Sequence, residues 1–195
     1  LLHADENELD FGEPEEILNH LQKAMLSEFY PAANTSFEVN YVHQSLEDTL
    51  APAFYLTAPI DDISRNVIYL NKSSQYRGIR LFTTLAHEGY PGHLYQTTGS
   101  YQAGLAPVRA LFHYPGYVEG WATYVEMLSY RYAGLEEAFA DMLMHNQSAL
   151  LSLYAEIDMG IHYDGWQLAD TAAFLSAYGI TDNEVIQSIF ELIVE

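Results

Sequence analysis

At 195 residues the chain has the size of one domain, able to bury roughly 70% of the surface its unfolded form exposes. Seven basic against 27 acidic residues give a formal net charge of −20, a field that repels phosphate backbones and anionic headgroups and excludes nucleic acid as a partner. There is no cysteine, so disulfides and thiolate metal sites are ruled out, and no stretch approaches the roughly 20 apolar residues of a membrane-spanning helix, so this segment is not expected to insert in a membrane. The opening "LLHADENELD" does not read as a signal peptide, and the chain starts as if cut from something longer. A single domain over residues 1–195 is expected, the core of a longer protein.

Pro14 suits the first turn of a helix, and Ile17, Leu18, Leu21, Met25 and Phe29 repeat on one face before Pro31, predicting a helix of about four turns. From Phe37 the period changes to two, with Phe37, Val39 and Tyr41 alternating with polar neighbours. "AFYLT" and "NVIYLN" follow as extended segments separated by turn residues, so a small sheet or hairpin layer is expected. After Gly78 the helical period returns, and Ile79, Phe82, Leu85 and Ala86 share one side of a helix that carries His87 and Glu88. Further helices are expected near 117–132, 135–159, 165–178 and 182–194, the last opened by a Thr181-to-Glu184 capping box. The fold class is α+β, predominantly α-helical.

The stretch "LAHEGYPGHLYQ" holds the candidate chemistry. Zinc peptidases usually place the second histidine four positions after the first, whereas His93 stands six after His87. In a straight helix those two side chains diverge by about 120°. Pro91 changes the geometry: it has no N–H for the His87 carbonyl, its ring clashes with that turn, and it disfavours the α conformation at Tyr90. Gly92 then accepts the dihedrals the distortion requires. The helix should therefore distort or end between Tyr90 and Gly92, bringing both imidazoles to one ion as neutral ligands. Glu88, next to a ligand but not itself one, is placed to act as general base on a metal-activated water.

A third ligand should come from a neighbouring helix, and "YVEGWATYVEMLSY" supplies it. Val118, Trp121, Ala122, Val125 and Leu128 form an apolar stripe; Glu119, Thr123, Glu126 and Tyr130 form a second stripe beside it. Carboxylates beside a core stripe are costly unless paired or bound. Glu119 is the expected ligand, and Glu126 the partner of a ligand histidine or of an arginine.

The segments "AFYLTAPIDD", "LAHEGYPGHLYQ", "YPGYVEGWATYVE" and "DMGIHYDGW", in that order over about residues 37–170, resemble the bacterial family catalogued as domain of unknown function 885, whose members resemble zinc metallopeptidases. The "EGWATYVE" segment is also similar to the helix from which zinc aminopeptidases supply a glutamate ligand. The resemblance implies a zincin-like, gluzincin-type core with His87, His93 and Glu119 as ligands of one Zn2+ per chain and Glu88 as the base. Many members of that family carry a second histidine where this chain has Leu94, and their chains are longer at both ends, so the resemblance implies that parts of a substrate cleft are to be expected outside these residues.

In "EIDMGIHYDGW", Asp158 and His162 are four apart on one helix face and Tyr163 follows, so with the resemblance His162 and Tyr163 become candidate catalytic donors to the oxyanion that develops during peptide hydrolysis. His3, His20, His43, His113 and His145 have no spacing that suggests a site; the tyrosines read mostly as core and cleft lining, and spacing does not decide whether Tyr90, Tyr117 and Tyr124 lie near the metal. The expected function is zinc-dependent peptide hydrolysis with a peptide substrate, in the cell envelope or secreted. The alternative is a non-catalytic cell-envelope peptide- or metal-binding protein whose site is structural or vestigial.

Overall fold

The computed structural model describes residues 9–31, 35–59, 61–112 and 114–194. His3 and His113 lie outside them. Packing divides the chain into two compact units, one ending at Met142 and the other running on from Leu143.

In the first unit, α1 (Pro14–Ala24) opens with a reciprocal cap: the Glu13 side chain accepts from the backbone of Glu16, and the Glu16 carboxylate accepts from the Glu13 N–H. Its apolar face buries Ile17, Leu18 and Leu21, and the stripe continues through Met25 in the 3₁₀ turn Met25–Ser27. Full burial of each such side chain contributes about 1.5–3 kcal/mol. The expected four-turn helix thus tightens after Ala24.

The sheet has three strands, β1 (Ser36–Tyr41), β2 (Ala53–Leu56) and β3 (Arg65–Leu70), in the order β1-β3-β2. β1 runs parallel to β3 with Ser36 opposite Arg65, and β2 runs antiparallel with Ala53 opposite Leu70. The layer is therefore a mixed sheet rather than a plain hairpin, with β3 in the centre. Asn66, Ile68 and Leu70 share the buried face of β3. Buried Asn66 is satisfied: its amide donates to the carbonyls of Ser36 and Ile63, and its Oδ1 accepts from the Tyr55 hydroxyl at 2.7 Å. The alternation read in β1 holds only partly, since Tyr41 is exposed under the Lys72 ammonium.

α2 (Gly78–Glu88) buries Ile79, Phe82, Leu85 and Ala86 as its period requires. It ends at Glu88, and α3 (His93–Gln102) starts at the second histidine. α4 (Pro115–Ser129) begins with proline and buries Ala122, Val125, Leu128 and Ser129, so Val118 and Trp121 stand at the margin of its core stripe.

α5 (Glu137–His162) runs from the first unit into the second, which also contains α6 (Leu168–Ser176) and α7 (Asn183–Val194). Ile157, Leu175 and Ile186 form the small core of the second unit, one from each helix. The cap of α7 is Asp182, whose carboxylate accepts from the N–H groups of Glu184 and Val185, and not the box expected from Thr181. The described chain is helix-rich with one small sheet, consistent with α+β.

Candidate metal centre

Between α2 and α3 the chain turns in four residues, Gly89 to Gly92, with a cis peptide before Pro91. The Gly89 N–H donates to the Leu85 carbonyl, closing α2, and the Tyr95 N–H donates back to the Gly89 carbonyl. Neither glycine has room for a side chain. A Cβ at Gly89 would collide with Leu18, and one at Gly92 would lie inside contact distance of the carbonyl oxygens of Ala86 and His87. Trp121 ties this turn to α4, its indole N–H donating to the Pro91 carbonyl at 2.8 Å. The break does what the spacing of six requires: the rings of His87 and His93 meet nearly edge to face, with centroids 4.7 Å apart.

Glu119 completes a cluster. Its Oε2 lies 3.5 Å from Nε2 of His87 and 3.5 Å from Nε2 of His93. The three ligand atoms all fall within 4.8 Å of one another. Two ligands bonded to zinc at about 2.0–2.1 Å with tetrahedral angles stand roughly 3.3–3.4 Å apart, so both Glu119 separations fit one shared ion. The donor types, two imidazoles and a carboxylate with no thiolate, fit zinc equally well.

Glu126 settles the tautomer of His87. Its Oε2 accepts from Nδ1 at 2.9 Å, which leaves the Nε2 lone pair directed to the cluster. Of the two partners expected for Glu126, a ligand histidine or an arginine, the histidine is the one it meets. Burial works to lower the basicity of His87, but the hydrogen bond and charge of Glu126, with Glu88 and Glu119 adding, raise it above the usual histidine range. His93 goes the other way: burial and the neighbouring His87 lower it against the opposing pull of Glu119.

Glu88 stands apart from the three clustered atoms. Its Oε2 accepts the backbone N–H of Tyr55 on β2 at 2.8 Å. Burial raises the Glu88 carboxyl above the ordinary carboxylate range, while His87 and the Tyr55 N–H partly restrain it. A carboxylate shifted this way is suited to take and return a proton.

The other residues singled out in the sequence have separate surroundings. His162 and Tyr163 belong to the second unit, where His162 Nε2 lies 3.0 Å from the Ile193 carbonyl and 3.5 Å from Asp158, and Tyr163 is 89% exposed. Tyr90 is a core residue, fully buried with its hydroxyl 3.0 Å from that of Thr35, and Tyr124 is half-exposed beside Trp121. Tyr117 lines a cleft with Trp121. His20 is tied to the Tyr132 carbonyl at 2.7 Å, and His43 caps a turn. The residue that periodicity underrated is Tyr55, whose contribution is a backbone N–H and therefore carries no side-chain signal.

The chain shares its fold with the crystal structure of a protein from Colwellia psychrerythraea provisionally designated a lipoprotein, at a TM-score of 0.70 and 22% identity. The match takes in 92% of this chain and 32% of that one, so this chain spans about a third of its length. No curated protein matches. The family described as bacterial protein of unknown function, DUF885, matches residues 11–191, taking in both units and every residue of the cluster, and the chain belongs to that family.

Proposed function

We propose that the first unit is a zincin-like hydrolytic core of the gluzincin type, holding one Zn2+ through His87, His93 and Glu119 and cleaving peptide bonds with Glu88 as general base. The observation that carries the reading is the joint placement of Glu119, equidistant at 3.5 Å from both Nε2 atoms, and of a raised carboxyl at Glu88 adjacent to a ligand but outside the ligand set. A purely structural site has no use for the second carboxylate, and it would be closed by a fourth protein ligand.

Zinc, when bound, supplies Lewis acidity and makes water more acidic. The side chains do the rest. Glu126 holds the His87 ring in the tautomer that leaves Nε2 free. Glu88, fixed by the Tyr55 N–H, takes a proton from the attacking water as its oxygen bonds to the scissile carbonyl carbon. When the C–N bond breaks, Glu88 returns that proton to the leaving amine. A cell-envelope location is in keeping with the designation of the structural neighbour, and no helix among the described residues is long and apolar enough to cross a membrane.

The test separates the two glutamates. Glu88→Gln is expected to keep metal content and lose hydrolysis of a peptide library by at least a hundredfold, whereas Glu119→Gln is expected to lose metal. If Glu88→Gln strips the metal while Glu119→Gln retains it, the roles are reversed. Tight metal binding with no hydrolysis by the wild-type chain would make the site a metal-binding one without catalysis.

A further inference from the structure

α4 grips the segment that carries the second histidine at two points. Glu119 meets the Nε2 atoms of both His87 and His93 at 3.5 Å. Trp121, two residues and about 3 Å further along the helix axis, donates its indole N–H to the Pro91 carbonyl at 2.8 Å. Pro91 and Gly92 are buried and lead straight into His93, the first residue of α3. A carbonyl of a buried residue outside any helix or strand needs a donor, and the indole supplies it.

The two ligand histidines are held by different means. His87 has a second partner on its ring, the Glu126 carboxylate that accepts from Nδ1. His93 has its Nε2 beside Glu119, but among the described residues its Nδ1 meets no carboxylate or carbonyl. A ligand histidine usually takes its orientation from a hydrogen bond at the ring nitrogen turned away from the metal. Without that bond, His93 inherits its aim from its backbone, and the backbone is placed by the turn that Trp121 holds. Packing alone does not call for tryptophan at the margin of the α4 stripe, where another apolar side chain would serve. Only the indole adds a donor with neither an acceptor nor a charge.

We propose that Trp121 is a positioning residue of the metal centre, doing for His93 through the Pro91 carbonyl what Glu126 does for His87 at the ring. This role rests on the metal-binding part of the function above and not on hydrolysis. The indole is itself braced, since Phe29 packs against it edge to face with ring centroids 5.7 Å apart. Glu119 and the anchor of His93 thus stand on one rigid helix, and the distance between the two ligands is fixed before an ion arrives.

The test replaces one atom. In the 195-residue chain, 3-benzothienylalanine at position 121 puts sulfur where the indole has its N–H and keeps the shape of the ring. Zinc affinity, measured by competition with a chelator, is expected to fall about tenfold. The visible absorption of the cobalt-loaded chain, which reports coordination geometry, should change, while the far-ultraviolet circular dichroism of the metal-free chain stays the same. 5-Fluorotryptophan at the same position keeps the N–H and should retain both affinity and spectrum. Trp121→Phe serves as the second variant should the sulfur analogue fail to fold. Phe29→Leu removes the ring packed on the indole but leaves the N–H, so it should lower the melting temperature and leave zinc affinity unchanged. Unchanged affinity and cobalt spectrum in a folded variant without the N–H, or a loss of affinity as large in Phe29→Leu, would overturn the proposal. If the unaltered chain binds no zinc, the metal centre itself fails; if it binds zinc and the sulfur analogue binds it equally well, only the role of Trp121 fails.

Discussion

Glu126 Oε2 lies 2.9 Å from Nδ1 of His87, on the side of the ring away from Glu119. This contact fixes both the tautomer and the rotation of the imidazole, so its value is expressed in metal affinity more than in folding. Glu126→Ala is expected to weaken zinc binding by about 10–100-fold, measured by competition with a chelator, with the far-ultraviolet circular dichroism unchanged. Unaltered affinity would show that His87 is oriented by packing alone.

Glu88 carries a stability cost that depends on pH. Burial raises its carboxyl in the folded chain above the unfolded value, so the folded state binds the proton more tightly and stability falls as pH rises through that raised value. Below the ordinary carboxylate range both states are protonated and the cost vanishes. Glu88→Gln should therefore melt a few degrees higher than wild type at pH 7 in the absence of metal, with the difference disappearing near pH 4. A lower melting temperature at pH 7 would mean that the carboxylate is net stabilising.

Gly92→Ala places a methyl group against the carbonyl oxygens of Ala86 and His87, both backbone atoms that cannot rotate away. The turn must shift, at about 1–3 kcal/mol, and His93 shifts with it. Lower stability is expected together with weaker zinc binding, read by denaturant unfolding and by zinc titration. Gly99→Ala, on the next helix with open space around it, is the control and should be neutral or stabilising.

Tyr55→Phe removes the hydroxyl on which buried Asn66 Oδ1 depends and leaves that oxygen without its partner. A loss of about 1–3 kcal/mol is expected in urea unfolding. Because the backbone N–H that holds Glu88 is retained, hydrolysis per folded molecule should be preserved.

How far the sequence led can be seen residue by residue. The end of α2 at Glu88 was legible because Pro91 removes one N–H and excludes one conformation, both local effects. Glu119 was legible because a carboxylate beside an apolar stripe needs a reason. The parallel pairing of β1 with β3 was not, since alternation specifies faces and says nothing about direction. The choice of Asp182 over Thr181 as the cap of α7 turned on one residue of offset, which helix periodicity does not resolve. The division near Met142 was hidden because α5 runs unbroken across it. The aromatic cleft draws on Tyr30, Tyr95 and Trp121, far apart in the chain, and has no local signature.

β2 is an edge strand, four residues long and, among the described residues, paired only with β3. The N–H of Tyr55 points away from that pairing and is taken by Glu88. An open edge N–H is a rung on which a strand from another molecule can assemble, and proteins protect such rungs with charge. Glu88 reaches this edge from α2 and supplies the acceptor that the part-buried N–H would otherwise lack. Loss of the acceptor in Glu88→Ala leaves that N–H without a partner, while Glu88→Gln still accepts from it, so the two variants of one residue should differ in stability, by about 1–3 kcal/mol in urea unfolding.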